Sequence, residues 1–309
     1  MKILVTTPTG QVGQRILREL IAPEFAVRTI VRDPARLPED LCGAVEVIRG
    51  STDDVATLRR ALQGVEAMFW CVPGVSPAET NEAGHHERFT LAVAEALRTV
   101  RIPRVVTIST GGNELARNRG CFSDLQAMED ILNQSGSALR HLRCGVFMEH
   151  LLWQAEAIIQ HGVFSLPVPG HVRIPLVAVT DVADVALRWL VRDWKGVASI
   201  SVRGPEDLTG HQAATILEQV LERPVVYREA SANHFVLSLV GHGLSIAQAR
   251  ERLGMLTALA GDSPSAAVGT RAAVTTTLAE WTRTELLPLA ESFAPPSRAC
   301  TSSSLLCRM

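Results

Sequence analysis

The sequence is poor in lysine and tyrosine. Lys2 and Lys195 are the only lysines among 30 basic residues, and Tyr227 is the single tyrosine. A reaction that depends on either side chain for its proton can therefore draw on three positions. Cysteine is sparse too: Cys42, Cys71, Cys121, Cys144, Cys300 and Cys307 are scattered and form no C-x-x-C pair. No metal site is expected from that spacing, and a reduced, cytoplasmic protein is. No run of about 18 uninterrupted apolar residues exists, so no membrane span is expected. The apolar run at the start is too short for a signal peptide. A net charge of −2 rules out a bulk basic field, and with it nucleic acid as an expected partner. What is present is a chain of 309 residues, 47% hydrophobic, long enough for one large domain or for a core with an appended lobe.

The chain is organised around Ile3 to Leu20, ILVTTPTGQVGQRILREL. Ile3, Leu4 and Val5 suit a strand buried on both faces. From Val12 the apolar residues fall at helical spacing, Val12, Ile16, Leu17 and Leu20. Strand, tight turn and helix open a βαβ unit, and the helix amino terminus points N–H groups and a positive dipole end at an anion. A dinucleotide diphosphate is the usual anion. Gly10 lets the backbone approach the phosphates, and Gly13 lets helix and sheet pack closely. Short-chain dehydrogenases carry a third glycine where this chain has Thr7.

Ala26–Val31 is the second expected strand, and its end should lie beside the adenosine ribose. An acid there bonds the 2′-hydroxyl, whereas an arginine accommodates a 2′-phosphate. Arg32 stands 19 residues beyond Gly13, with Arg36 one turn on and Asp33 as the competing acid. The arginines favour NADP(H) over NAD(H). Asp53 could touch the adenine edge or cap the helix starting near Val55. Further strands are expected at Ala44–Ile48, Glu66–Val72, Arg104–Thr110 and Leu139–Arg143. Ser109 and Thr110 would close a strand beside the nicotinamide. His85 and His86 open a helix and read as surface residues, with a lesser chance that one reaches the crevice. Beyond residue 144 the rhythm loosens. Val172–Val177 and Ala198–Val202 read as strands, Asp181–Val191 as a helix capped by Thr180 or Asp181, and helices recur to Leu289.

Seven segments in order carry a resemblance: VTTPTGQVG, IVRDPAR, ALRTVRIPRVVTIST, MEDILNQSG, LRCGVFMEHLL, RIPLVAVTDVADVAL and RGPEDLTGHQAATILEQVLERPVVY. Together they resemble the NmrA-like branch of the atypical short-chain dehydrogenases. The resemblance implies an α/β fold, a Rossmann-type parallel sheet with helices on both faces and a smaller, mainly helical substrate lobe. Residues 1–144, with 176–203 returning to them, would form the coenzyme-binding core. Segments 145–175 and 204–293 would form the lobe, while the prolines and serines of 294–309 point to a disordered tail. Thr9, Gly10, Gln11 and Val12 would meet the phosphates and Arg32 the 2′-phosphate. Cys71, Val72 and Pro73 would run along the adenosine, and Ser109 and Thr110 near the nicotinamide. The backbone of Cys144, Gly145 and Val146 would hold the carboxamide.

The departures bear on chemistry. The Tyr-x-x-x-Lys pair of ketone-reducing relatives is absent. A lone lysine found on the same helix in some NmrA-like reductases is replaced by Leu125, with Gln126 beside it. Ser109, Gln126, Asn113 and His150 are left as hydrogen-bonding candidates. Among them His150 is the only ordinary general acid, and it stands where the family has asparagine. Two functions fit: NADPH-dependent hydride transfer to a small-molecule acceptor (quinone, enone or imine-like), or a catalytically silent NADP(H)-sensing regulator with a protein partner. A metabolite-binding module is a third, and a homodimer is left open.

Overall fold

The structure is a computed structural model that describes residues 1–75, 84–110, 121–261 and 270–293; of 121–123, 259–261 and 291 it describes the backbone alone. Asn113 and the 294–309 tail lie outside the described residues.

The first half alternates strand and helix: β1 (Lys2–Val5), α1 (Gln11–Glu19), β2 (Ala26–Val31), β3 (Glu46–Arg49), α2 (Val55–Leu62) and β4 (Ala67–Trp70). It continues through α3 (His85–Thr99), β5 (Arg104–Thr110), α4 (Cys121–Leu132) and β6 (Ala138–Cys144). After an excursion, α6 (Val179–Leu190) and β10 (Val197–Val202) rejoin the sheet. Eight strands lie in the order β13-β10-β6-β5-β4-β1-β2-β3, every pairing parallel. The apolar runs explain why: Ile3, Leu4 and Val5, and all of β4, are wholly buried, as strands covered on both faces must be. One face is sealed by α1 and α6, the other by α2, α3 and α4, each through an apolar stripe. The chain starts at β1 and later returns to its other side through β4, so strand order reverses there. Above the carboxyl ends of β1 and β4 a crevice opens.

The remaining elements enclose a separate apolar core running from Val146 to Ala290 around Phe164 and Trp281. They are β7 (Val146–Phe147), a 3₁₀ segment (Met148–Gln154), α5 (Ala155–His161), β8 (Val163–Leu166), β9 (Arg173–Val177) and β11 (Asp207–Thr209). α7 (Gly210–Leu221), β12 (Val226–Glu229), α8 (Ala232–Gly241) and α9 (Ile246–Gly261) follow. After β13 (Thr270–Arg271) come α10 (Leu278–Trp281), a π-helical turn (Thr282–Leu286) and α11 (Leu287–Ser292). Two small sheets, β11-β9-β7 and β12-β8, tie these helices down.

Three expectations change. The segment 204–293 does not stay within the lobe, because Thr270 and Arg271 pair with Ile200 and Ser201 as an edge strand of the large sheet. Two residues of pairing leave almost no hydrophobic pattern to read. Between 145 and 175, α5 and β8 form where the rhythm had seemed lost. Finally, neither Thr180 nor Asp181 caps α6. The helix begins at Val179, whose N–H donates to both carboxylate oxygens of Glu149 at 3.0 and 3.1 Å, while Asp181 accepts from Thr276. Trp281 Nε1 donates to the same Glu149 at 3.2 Å, so one buried carboxylate clasps α6 to α10. Burial pushes that carboxyl up from the usual range.

Candidate functional site

The turn after β1 is built almost entirely from backbone. Thr6 Oγ1 donates to the Phe69 carbonyl and accepts from the Cys71 N–H at 3.1 Å, which locks the ends of β1 and β4 together. Thr7, in the place of the missing glycine, adopts the left-handed conformation at φ 53°. A β-branched residue there is strained by about 1–2 kcal/mol. Its hydroxyl offsets part of this by donating to the Thr6 carbonyl at 2.7 Å. A methyl group on Gly13 would lie 2.2 Å from the Thr7 carbonyl oxygen, so only glycine lets α1 approach this closely. Gly10 is the helix N-cap and supplies no side-chain bond, and the first turn of α1, starting at Gln11 and Val12, carries no acid. Its N–H groups are therefore left for an outside anion.

A cleft of about 300 Å³ opens at this turn, and Thr7, Thr9, Gly10, Arg32, Arg36, Ser51 and Pro73 are on its walls. Arg32 and Arg36 are both exposed to it. Asp33 stands on the same wall, where its carboxylate accepts the Ala35 N–H at 3.2 Å and caps the 3₁₀ turn Pro34–Arg36. The polar backbone, the glycine cradle and the two arginines fit a dinucleotide with a third phosphate on its ribose. Asp53 is not a cap, because Asp54 caps α2 through the Ala56 and Thr57 N–H groups. Asp53 accepts instead from Arg88 Nε at 3.1 Å.

Farther along the crevice, Cys71 and Val72 are half-buried, and burial pushes the Cys71 thiol up to about 11. Pro73 presents its carbonyl to His85 Nε2 at 2.8 Å. His85 is therefore not a surface residue: it is buried against Phe89 and holds the loop after β4 in place. His86, partly shielded, lies 3.8 Å from Glu251. Cys144 ends β6 as a buried thiol raised by burial. The Gly145 N–H is engaged by the Val202 carbonyl, and a Cβ at Gly145 would strike the Pro175 carbonyl at 2.3 Å. Of the three backbone units expected at the carboxamide, Gly145 has thus already used its donor.

Among the described residues, the cleft above β1 takes in none of the three catalytic candidates, and the cavity in the lobe takes in His150 alone. Ser109 and Thr110 do end β5, buried. The Ser109 hydroxyl donates to Glu129 Oε1 at 2.6 Å, and Arg143 grips the same carboxylate through Nε at 3.0 Å and Nη2 at 2.6 Å. Burial works to raise the Glu129 carboxyl, but the hydrogen bonds and charge of Arg143 and the Ser109 hydroxyl outweigh it and hold it below its ordinary value. With its proton committed, Ser109 presents lone pairs rather than a donor. Next to it, Thr107 donates to His141 Nδ1 at 2.8 Å, and His141 Nε2 donates to Asn133 at 3.0 Å, a neutral imidazole kept so by burial. Gln126 sits half-buried on α4, and it lines neither this cleft nor the lobe cavity.

That second cavity, of about 470 Å³, is walled by Val146, Phe147, His150, Trp153, Phe235, Leu239 and Arg252 among others. Burial, with the positive Arg252 adding to it, pushes the His150 imidazole down to about 3. Its Nε2 accepts from Arg252 Nη1 at 3.3 Å, so the ring is neutral. His150 is not the general acid that the sequence offered.

Glu129, Arg143, His141, Trp153 and Arg252 were all missed by the sequence reading. Glu129 and Arg143 lie in segments that carried the resemblance, yet nothing local says that a helix and a strand 14 residues apart share an ion pair.

Comparison with known proteins places this arrangement. The NmrA-like family model matches residues 1–282. The NAD(P)H azoreductase of Xenophilus azovorans is 28% identical over 258 residues, covering 81% of this chain and 85% of that protein. A (4-alkanoyl-5-oxo-2,5-dihydrofuran-3-yl)methyl phosphate reductase of Streptomyces griseus is 32% identical over 228 residues, 74% of this chain and 76% of the relative. The crystal structure of the NADPH-dependent quinone oxidoreductase of Escherichia coli with NADPH has the same fold, at a TM-score of 0.74 and 24% identity over 94% of this chain and all of that one. A family match that runs from the glycine turn through the lobe admits one conclusion: the chain belongs to the NmrA-like family.

Proposed function

We propose that the chain is an NADP(H)-dependent reductase that delivers hydride to a conjugated small-molecule acceptor, a quinone, an enone or an imine-like compound, without a tyrosine–lysine pair. The observation that carries this is the cleft above β1, with an uncapped helix terminus at its base and Arg32 and Arg36 at its edge. The α1 N–H groups hold the diphosphate. The two arginines hold the 2′-phosphate, and the single Asp33 carboxylate on the same wall, which also caps its own turn, is outnumbered by them. When bound, the reduced coenzyme supplies a hydride.

Among the described residues, the three catalytic candidates offer no ready acid. The Ser109 hydroxyl donates its hydrogen bond to Glu129, His150 is neutral, and Gln126 does not ionise. A simple ketone gains a strongly basic alkoxide on reduction and needs a positioned acid. An azo group, an unsaturated lactone ketone or a quinone spreads the new charge over its π system. Three of the relatives, an azoreductase, an alkanoyl-oxo-dihydrofuran reductase and a quinone oxidoreductase, are named for acceptors of that kind. The lack of an acid among the described residues equally suits a silent NADP(H)-sensing regulator, but the sizeable, mainly apolar cavity in the lobe favours an enzyme.

Calorimetry with NADPH and NADH, followed by steady-state turnover on quinone, enone and simple-ketone panels, tests the reading. Tighter binding of NADPH and turnover restricted to conjugated acceptors are expected. Indifference to both coenzymes, or turnover on ketones alone, refutes it. Binding with no turnover on any panel, together with recovery of a partner protein, selects the regulator.

A further inference from the structure

One polar group on the wall of the lobe cavity is held in a single orientation and a single protonation form. A 3₁₀ helix has three residues per turn, so side chains three apart stand one above another. Met148–Gln154 winds this way, and with Phe147 just before it an aromatic ring falls at every third position: Phe147, His150 and Trp153. Ring centroids follow one another at 5.9 and 4.8 Å, the second pair stacked at 23°. His150 is the middle ring of this column, so a neighbour on each side opposes its turning. All three residues line the cavity of about 470 Å³, a volume suited to a molecule of two or three fused rings.

Arg252 reaches the column from α9, its guanidinium 4.7 Å over the Trp153 ring and Nη1 3.3 Å from His150 Nε2. A guanidinium has N–H groups and no lone pair to offer. Whatever else Arg252 meets, it is therefore the donor in this bond, and Nε2 is the acceptor. The ring is neutral. A neutral imidazole that accepts at one nitrogen carries its hydrogen on the other, so Nδ1 is an N–H donor. Nδ1 has no partner among the described residues, and protein does not seal it from open space. Val146, Leu239, Met255 and Leu256 supply apolar surface to the same cavity. A ligand that fills it must bring Nδ1 an acceptor or leave that N–H stripped of water and unpaired.

We propose that the lobe cavity binds a flat aromatic carbonyl compound, with its rings against the apolar wall and its carbonyl oxygen accepting the Nδ1–H of His150. The ligand is recognised by an oxygen lone pair, and a hydrocarbon of the same shape is denied the bond. If the reductase reading is right, that oxygen is where charge gathers as the acceptor takes up hydride, and to that extent the inference rests on that reading.

The test separates the two. Calorimetry on the full chain without coenzyme compares 1-tetralone with tetralin, the same two rings without the oxygen. Tetralone is expected to bind about tenfold tighter, the worth of one well-placed hydrogen bond. His150→Asn sets an amide N–H close to where Nδ1 stands and should keep most of that preference. His150→Gln sets its amide at the Nε2 end, and His150→Phe has no donor, so both should bring the two probes to equal affinity. Equal binding by the unaltered protein, no binding of either probe, or a preference that survives His150→Phe overturns the site. A preference kept by His150→Gln and lost by His150→Asn would put the donor on Nε2 and overturns it too. A tetralone preference without turnover on any quinone retains the site and refutes the reductase reading, whereas quinone turnover without that preference does the reverse.

Discussion

The cleft above β1 and the cavity in the lobe are made of different materials. The cleft is backbone: a strained threonine, two glycines and the bare first turn of a helix, with arginines only at the margin. The lobe cavity is side chain: a column of rings, a guanidinium and an apolar roof from α8 and α9. A backbone site recognises what every nicotinamide coenzyme shares, and it tolerates little change. A side-chain site recognises what distinguishes one small molecule from another, and residues can be exchanged there without loss of the fold.

That contrast can be broken most severely at Gly13. Gly13→Ala puts a methyl group 2.2 Å from the Thr7 carbonyl, where backbone cannot yield. A loss of about 3 kcal/mol in stability, together with loss of NADPH binding, is expected by chemical denaturation and calorimetry. Near-normal binding would show that the turn is more pliant than its geometry indicates. Next in size is Arg32→Ala, which should weaken NADPH by about tenfold, the worth of one arginine–phosphate bond, and leave NADH unchanged. An equal loss for both coenzymes would move Arg32 away from the 2′-phosphate.

The lobe is sharpened by acid. His150 in the folded protein titrates near 3, against an ordinary 6.5, so the unfolded chain takes up a proton that the folded one refuses. Its contribution to stability is present above about 6.5 and is lost as pH falls toward 3. His150→Asn should therefore flatten the dependence of the thermal midpoint on pH across that window, and an unchanged slope would sink the assignment. Smallest is Thr7→Gly. It relieves the left-handed threonine but adds freedom to the unfolded chain, for a net gain of about 0.5 kcal/mol with coenzyme affinity intact. A loss of stability would mean that the hydroxyl bond to Thr6 outweighs the strain.

How much of this was legible follows from how far apart the cooperating residues stand. Ile3 to Leu20 form a strand, a turn and a helix within one stretch, and the alternation of buried strand and amphipathic helix repeats through β6. Each step is local, so periodicity and glycine spacing expose it. Arg32 and Arg36 could be placed because the loop after β2 always lies beside that turn. His85 was misjudged because adjacency in sequence said nothing of the Pro73 carbonyl waiting 12 residues earlier. Ser109 was expected to donate into the crevice, but its proton is claimed by Glu129 from α4.

By itself the sequence determined a parallel sheet with a coenzyme turn at its head, since buried strands and close helix packing leave their mark in consecutive residues. Only the tertiary structure decided the chemistry farther in. The charge of His150, the direction of the Ser109 proton and the clasp of Glu149 on α6 each depend on a partner brought from 20 to more than 100 residues away, where burial and electrostatics, and no local pattern, set the outcome.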